Sequence, residues 1–217
     1  ALTGTCVFND IPGSEWPQDS SWYNAEIVWE HHEISNGFDY AGQAEPCDID
    51  ADGDMDVVAI SVTEDSVVWY ENMNGAGTQW TEHYIAYLNE PRGLDVADVD
   101  GDGDVDVLVS GQASDTFVWY ENLDGTGGSW SSRVMHYVDG AYWMHPVDMD
   151  GDGDMDVVAS TYNSDLVLWF ENEDGLGGSW GYHQVYTDCD GCDVAYPADI
   201  DGDGDYDIIT ISRMDDL

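Results

Sequence analysis

The sequence predicts an all-β protein, a β-propeller of about four four-stranded antiparallel blades, three of them whole and one assembled from the N- and C-terminal segments. Three observations lead there. An acidic stretch returns at a fixed distance: DIDADGDMDVV starts at Asp48, DVDGDGDVDVL at Asp98, DMDGDGDMDVV at Asp148 and DIDGDGDYDII at Asp199, a repeat of 50 or 51 residues. Each acidic stretch runs into a short β-branched segment with no helical period, and each whole unit then adds an aromatic strand, a glycine turn and a closing strand. A period of this size marks stacked supersecondary units, and four short strands per unit describe a propeller blade, whereas a β-helix needs a much shorter repeat.

Residues 1–21, ALTGTCVFNDIPGSEWPQDSS, fall outside the repeat and are expected to form a leader, either loose or docking on a neighbouring molecule by strand addition or through Cys6. WYN at 22–24 is a shortened echo of the later WYEN, and WEHHEI at 29–34 matches a closing strand, so 22–37 is expected to supply outer strands. Whole blades follow at about 38–87, 88–138 and 139–187. Their second strands are VVAISV at 57–62, VLVS at 107–110 and VVAS at 157–160, apolar without alternation, as in strands covered on both faces. The third strands are VVWYEN at 67–72, FVWYEN at 117–122 and LVLWFEN at 166–172. The turns NGAG, DGTGG and DGLGG lead into WTEHYI at 80–85, WSSRVMHYV at 130–138 and WGYHQV at 180–185. Residues 188–217 supply only the first two strands, ending in IITIS at 208–212. Joined within one chain, the two partial units close a ring and remove sheet edges that invite foreign pairing. Joined between chains, they link copies.

Composition narrows the function classes. The 217 residues carry 47 Asp and Glu against three basic residues, Arg92, Arg133 and Arg213, for a formal charge of −44. Phosphate binding needs a basic face, so nucleic acid is excluded as a partner. No apolar run is long enough to span a membrane as a helix. A surface this acidic suits high salt, abundant calcium or solubility by repulsion. Four cysteines allow three pairings, and an even count points to an oxidising compartment. The favoured pairing is Cys189 with Cys192 and Cys6 with Cys47, with a zinc site at Cys189 and Cys192 as the weaker alternative, since no second Cys or His pair stands at zinc-finger spacing. The protein is expected to be extracellular or at a cell surface.

The acidic loops carry the chemistry. Calcium takes six to eight hard oxygen ligands, and a short loop supplies them by placing carboxylates at alternate positions around a glycine turn. Loop positions 1, 3, 5 and 9 are aspartate, and position 7 can offer its backbone carbonyl. The sets are Asp48, Asp50, Asp52, Asp54 and Asp56 around Gly53; Asp98, Asp100, Asp102, Asp104 and Asp106 around Gly103; Asp148, Asp150, Asp152, Asp154 and Asp156 around Gly153; and Asp199, Asp201, Asp203, Asp205 and Asp207 around Gly204. About four Ca2+ are expected, one per loop. An EF-hand would need a Glu at position 12, where Ala59, Val109, Ala159 and Thr210 stand instead. Magnesium is the weaker rival, since it keeps several of its waters.

With D-x-D-x-D-G-x-x-D loops followed by an apolar strand and a WYEN strand, residues 22–217 resemble the FG-GAP and VCBS type of calcium-binding propeller repeat found in integrin α-subunit heads and in some fungal and bacterial lectin-like and surface proteins. The resemblance implies that each loop joins the first two strands of a blade and binds calcium. That family commonly forms seven blades, against about four here. No sugar- or ligand-binding motif carries over.

No catalytic constellation emerges. His32, His83, His136 and His183 recur at or near one repeat position and are read as packing or hydrogen-bonding residues, while His31 and His145 have no nucleophile beside them. Glu71, Glu121 and Glu171, beside Asn72, Asn122 and Asn172, suit turns and strand ends. Trp69, Trp119 and Trp169 share one strand position and are expected between blades, whereas Trp16, Trp22 and Trp143 are less periodic and better placed for a ligand. The reading is a structural or adhesive surface module that self-associates into an oligomer or filament through a shared blade or the leader. The alternatives are a lectin-like module binding a glycan or a cell-surface protein, and an accessory propeller of a larger secreted protein.

Overall fold

The computed structural model of the protein describes residues 6–10 and 30–213. The first pair is β1 (Cys6–Asp10) with β2 (Glu30–Ser35), antiparallel. Three four-stranded antiparallel sheets follow. Blade one holds β3 (Ala41–Cys47), β4 (Asp56–Ser61), β5 (Ser66–Asn72) and β6 (Trp80–Tyr87). Blade two holds β7 (Pro91–Ala97), β8 (Asp106–Gly111), β9 (Thr116–Asn122) and β10 (Trp130–Tyr137). Blade three holds β11 (Ala141–Val147), β12 (Asp156–Thr161), β13 (Val167–Asn172) and β14 (Trp180–Tyr186). A last pair, β15 (Cys192–Ala198) with β16 (Asp207–Ser212), repeats the first two strands of a blade. No helix occurs among the described residues.

Register is conserved from blade to blade. One row of residues facing each other runs Glu45, Val58, Trp69, His83 in blade one; Asp95, Leu108, Trp119, Arg133 in blade two; and His145, Val158, Trp169, His183 in blade three. Since side chains alternate across a strand, the two faces of each second strand meet different neighbours. Val58, Ile60, Val67 and Trp69 pack against Leu94, Val107, Val109, Val118 and Tyr120 of blade two. The other face of blade two, Leu108, Phe117 and Trp119, packs against Met144, Val157, Ala159, Leu168 and Phe170 of blade three. Burial on both faces explains why these strands read as unbroken apolar runs. The outward pair β15–β16 seats Cys189, Cys192, Ala195 and Ile208 on Val158 and Val167, and Ile34 of β2 packs with Phe38, Ala59, Val68 and Tyr70 on the first face of blade one.

Neighbouring blades are tied by polar bonds as well. The Gln43 amide donates to the Leu94 carbonyl at 2.8 Å and accepts the Leu94 N–H, and His145 Nδ1 lies 2.7 Å from Asp95 Oδ2. The buried Asn122 side chain donates to the Ile49 carbonyl at 3.1 Å and accepts the Gly127 N–H at 3.2 Å; Asn172 does the same toward Val99 and Gly177. Gly127 has φ +66°, and a Cβ there would sit 2.7 Å from Ile49 and Trp69, so only glycine lets this turn close onto the preceding blade.

Two expectations need correction. Residues 1–21 do not all lie outside the repeat: Phe8 faces His32 as Trp69 faces His83, and the bulge between Cys6 and Val7 matches that between Val67 and Val68. Thus β1–β2 is the outer half of a blade, while WYN at 22–24 lies outside the described residues. Among the described residues no ladder joins the two half-sheets: β1–β2 and β15–β16 form separate two-stranded sheets, one against blade one and the other against blade three.

The Asn122 ties predict a position-dependent cost. Asn122→Ala leaves the Gly127 N–H without its acceptor, a loss that Asn72→Ala shares at Gly77, and it also leaves the Ile49 carbonyl of the preceding blade without its donor, so it is expected to lose about 1–3 kcal/mol in urea denaturation. Asn72→Ala, whose amide nitrogen reaches only Met55 of its own blade, should cost measurably less. Equal losses would refute the trans-blade role.

Candidate metal centres

Each acidic loop joins the first and second strands of a unit. Backbone turning is done at position 6, where Gly53, Gly103, Gly153 and Gly204 have φ between +94° and +99°, and at position 4, where Gly101, Gly151 and Gly202 have φ between +74° and +79°. Position 4 of the first loop is Ala51, held at φ +57°. The loops fold on their own carboxylates. Asp98 accepts the Gly101 N–H at 2.9 Å and the Gly103 N–H at 3.0 Å, Asp100 accepts from Asp102, and Asp102 from Asp104. The third and fourth loops repeat all of these bonds. In the first, Asp48 bonds the Asp52 N–H instead of that of residue 51.

The aspartate at position 9 starts the second strand and is the anchor of the site. Asp56, Asp106 and Asp156 are each 1% exposed. One oxygen of Asp106 accepts the Val99 N–H at 3.1 Å from its loop, and the other accepts the Asn122 N–H at 2.8 Å from the third strand. Asp56 and Asp156 make the same pair of bonds. Burial outweighs these bonds and pushes the Asp56 carboxyl up to about 6 and that of Asp106 up to about 7, and it also raises Asp156. Asp50 and Asp100 are raised as well, by partial burial and then chiefly by the neighbouring carboxylates.

Carboxylate oxygens lie within 4.8 Å of one another in four groups: Asp48, Asp50 and Asp56; Asp98, Asp100 and Asp106; Asp148, Asp150 and Asp152; and Asp199, Asp201 and Asp203. Each group is close enough to hold a metal ion, with only hard oxygen donors. The carboxylates of Asp54, Asp104, Asp154 and Asp205 do not join them. The first three instead lie against the glycine turns at Gly75, Gly125 and Gly175, which leaves only their backbone carbonyls for the part assigned to position 7. Asp52, Asp102, Asp156 and Asp207 are not members of these groups. Asp207 is exposed, accepting the Ile200 N–H but no amide from a third strand among the described residues.

The chain matches the FG-GAP-like repeat at residues 48–109, 98–159 and 148–210. It belongs to the FG-GAP-like repeat family. Comparison with curated proteins finds no match to the chain as a whole. FG-GAP repeats are typical of extracellular proteins and are typically non-enzymatic.

Other singled-out residues take structural places. His83 stacks on Trp69 with centroids 4.4 Å apart and meets Glu71 at 2.7 Å, and His183 treats Trp169 and Glu171 alike. In blade two this slot holds Arg133, on Trp119 and Glu121, whereas His136 sits elsewhere, stacked on Tyr182. Trp69 and Trp119 are buried between blades. Trp143 lines a hollow of about 480 Å³ at the inner strands with Tyr40, Gln43, Arg92 and Tyr142; Trp16 and Trp22 lie outside the described residues.

Cys189 and Cys192 form a disulfide, so they make no zinc site. Cys47 is a free, buried thiol, pushed up to about 12 by burial and by Asp56, Glu45 and Asp48. The expected bond from Cys47 to Cys6 is therefore not made, because Cys47 packs on the blade-two side of blade one, and β1–β2 stands on the other. The side chain of Cys6 lies outside the described residues.

Two measurements follow. Ala51→Gly relieves a left-handed alanine and should raise stability by about 1 kcal/mol in the metal-free chain; no gain would mean that the first loop turns differently. Asp56 and Asp106 hold protons in the folded chain to a higher pH than in the unfolded one, so their stabilising contribution is full below about pH 4 and lost as pH rises through 6 and 7. The metal-free chain should thus melt at lower temperature at pH 7.5 than at pH 5, and the reverse order would refute the raised carboxyls.

Proposed function

We propose that the protein is an extracellular, non-enzymatic, calcium-stabilised repeat module, structural or adhesive in role at a cell surface or in a fibre, and associating with copies of itself. The observation that carries the calcium reading is the fourfold recurrence of a three-carboxylate cluster in the same loop of a rigid sheet. The donors fit a hard cation. Calcium accepts many oxygens in irregular geometry, as a loop of carboxylates and backbone carbonyls offers, whereas magnesium demands a near-ideal octahedron. The bound ion would supply charge neutralisation and nothing reactive. Two carboxylates about 4 Å apart repel by roughly 4 kcal/mol at an effective dielectric near 20, and each loop holds several such pairs.

The extracellular placement draws on the family and on the Cys189–Cys192 disulfide, which persists in oxidising surroundings. A glycan-binding role is the second reading, favoured only by the hollow at Trp143, where an indole, two tyrosines and the Arg92 guanidinium converge. A third role, as accessory propeller within a larger secreted protein, uses the same calcium-bearing blades.

Asp100→Asn separates ion binding from folding. It keeps the oxygen that accepts the Asp102 N–H but removes one charge from the second cluster. In chelator its melting temperature should equal or exceed that of the parent. In calcium at about ten times the site's Kd, it should forfeit roughly 1.4 kcal/mol of stabilisation. A parent chain whose melt is the same in calcium and in chelator would overturn the calcium reading.

A further inference from the structure

The three whole blades copy one another closely except where their first strands begin. Tyr40, Glu90 and Gly140 share one place in the repeat, Gly42, Arg92 and Tyr142 a second, and Gln43, Gly93 and Trp143 a third. A side chain that the blade itself requires returns in every unit, as Trp69, Trp119 and Trp169 do, so side chains confined to one unit are available for another task. Of these, Tyr40, Gly42, Gln43, Arg92, Tyr142 and Trp143 line the hollow of about 480 Å³ at the inner strands, a size within the roughly 300–1,000 Å³ of small-ligand clefts. The acidic loops leave the opposite ends of the same seven-residue strands. At about 3.3 Å per residue they stand roughly 20 Å away, more than twice the Debye length of about 8 Å at physiological salt, so their charge is largely screened at the hollow.

Close approach of two strands builds the wall. A Cβ on Gly93 would lie 2.8 Å from the Tyr142 carbonyl oxygen and 3.1 Å from the Trp143 Cα, so β7 and β11 meet backbone to backbone here. Ser110 fixes that contact, accepting the Gly93 N–H at 2.8 Å and donating to the Tyr142 carbonyl at 2.5 Å. At the other rim, Tyr40 is 46% exposed and its backbone sits at φ +49°, a left-handed conformation for which blade three uses Gly140. A bulky side chain is strained there, and the repeat does not call for it.

Arg92 differs from the other two arginines in what it leaves open. Arg133 grips Glu121 through Nε at 2.6 Å and a terminal nitrogen at 2.5 Å, and Arg213 grips Asp193 at 2.8 and 2.7 Å. Arg92 gives only its Nε, at 2.8 Å, to the uncharged Gln112, and the Glu90 carboxylate stops 3.9 Å from a terminal nitrogen. Gln112 therefore orients a guanidinium whose two terminal nitrogens make no hydrogen bond among the described residues. The Nε1–H of Trp143, in the same wall, is buried and also without a partner.

We propose that this hollow binds an acidic sugar, a hexuronate unit whose carboxylate takes the Arg92 fork while the C–H face of its ring lies on the aromatic wall. A planar carboxylate matches a guanidinium through two parallel N–H···O bonds. The Gln43 amide is not free to choose among hydroxyls, since it is bonded to Glu45 and Leu94. Charge, rather than the pattern of hydroxyls, sets the preference. This inference rests on the glycan-binding reading above and names the class of sugar that such a site takes.

Calorimetric titration of the calcium-loaded chain tests it, with a galacturonate trimer compared against its methyl ester, the same sugar without the charge. The acid should bind roughly ten- to a hundredfold more tightly, the range expected for hydrogen bonds between charged groups. Arg92→Gln, with its melt recorded alongside, should bring the acid down to the affinity of the ester, and Arg92→Lys, which keeps the charge without the fork, should fall between. Equal binding of acid and ester by the parent chain, both weakened by Trp143→Ala, would overturn the preference for acid and keep the glycan reading. Failure of both trimers to bind would overturn the two together. Acid binding that persists in Arg92→Gln and vanishes in chelator would put the sugar on the acidic loops and overturn this hollow as its site.

Discussion

A carboxylate held out of water at the root of each of the first three loops is the constraint on which the blades depend. Asp56, Asp106 and Asp156 each receive one backbone amide from the loop and one from the third strand, so a single side chain fixes the loop, the start of the second strand and the end of the third. Burying an anion is costly unless it is bonded and compensated. Two amides satisfy the oxygens without removing the charge, and the rise of these carboxyls toward 6 and 7 expresses what remains. The position is therefore structural, and at Asp56 and Asp106 its carboxylate also lies within reach of a metal-sized cluster.

Sheet packing carries that local arrangement along the chain. The second and third strands are buried on both faces, so each blade is half the core of its predecessor and half that of its successor. Polar ties reinforce the order, since Asn122 and Asn172 reach back to the loop of the preceding blade. One asparagine thus links the loop of one unit to the glycine turn of the next. The blade interface and the metal loop share their scaffold, and tightening the loop should tighten the stack.

Most of this was legible because it is repeated. The acidic loops, the apolar second strands and the WYEN strands recur at one spacing, and recurrence under the same backbone is what periodic reading detects. What escaped was what the repeat does not mark. Cys6–Asp10 has Phe8 where the whole blades have tryptophan and lacks the Glu-Asn that follows, so its strand was invisible until its register was known. The sequence assigns position 7 a backbone carbonyl and leaves its carboxylate unplaced; those of Asp54, Asp104 and Asp154 lie against glycine turns some twenty residues downstream. His136 resembles a repeat histidine, but the slot in blade two belongs to Arg133, which stands at the repeat spacing from His83 and His183 while His136 lies three positions later. Cys47 could not be paired from spacing because the relevant fact is which face of its blade it occupies.

The charge distribution leaves the acidic loops uncompensated by the chain's own basic side chains. All three arginines are already committed: Arg92 to Gln112 and Glu90, Arg133 to Glu121, and Arg213 to Asp193. The histidines best placed to help, His83, His145 and His183, pair with Glu71, Asp95 and Glu171 on the strands. None of these side chains sits in an acidic loop. Protons are left to neutralise the clusters, or a metal ion that they are close enough to hold, and Asp56 and Asp106 are the buried position-9 carboxylates within them. At low pH the proton takes that role at Asp56 and Asp106, whose carboxyls burial raises; under the proposed calcium reading a divalent ion would take it near neutrality, and acidity and calcium would be alternative means of closing those loops.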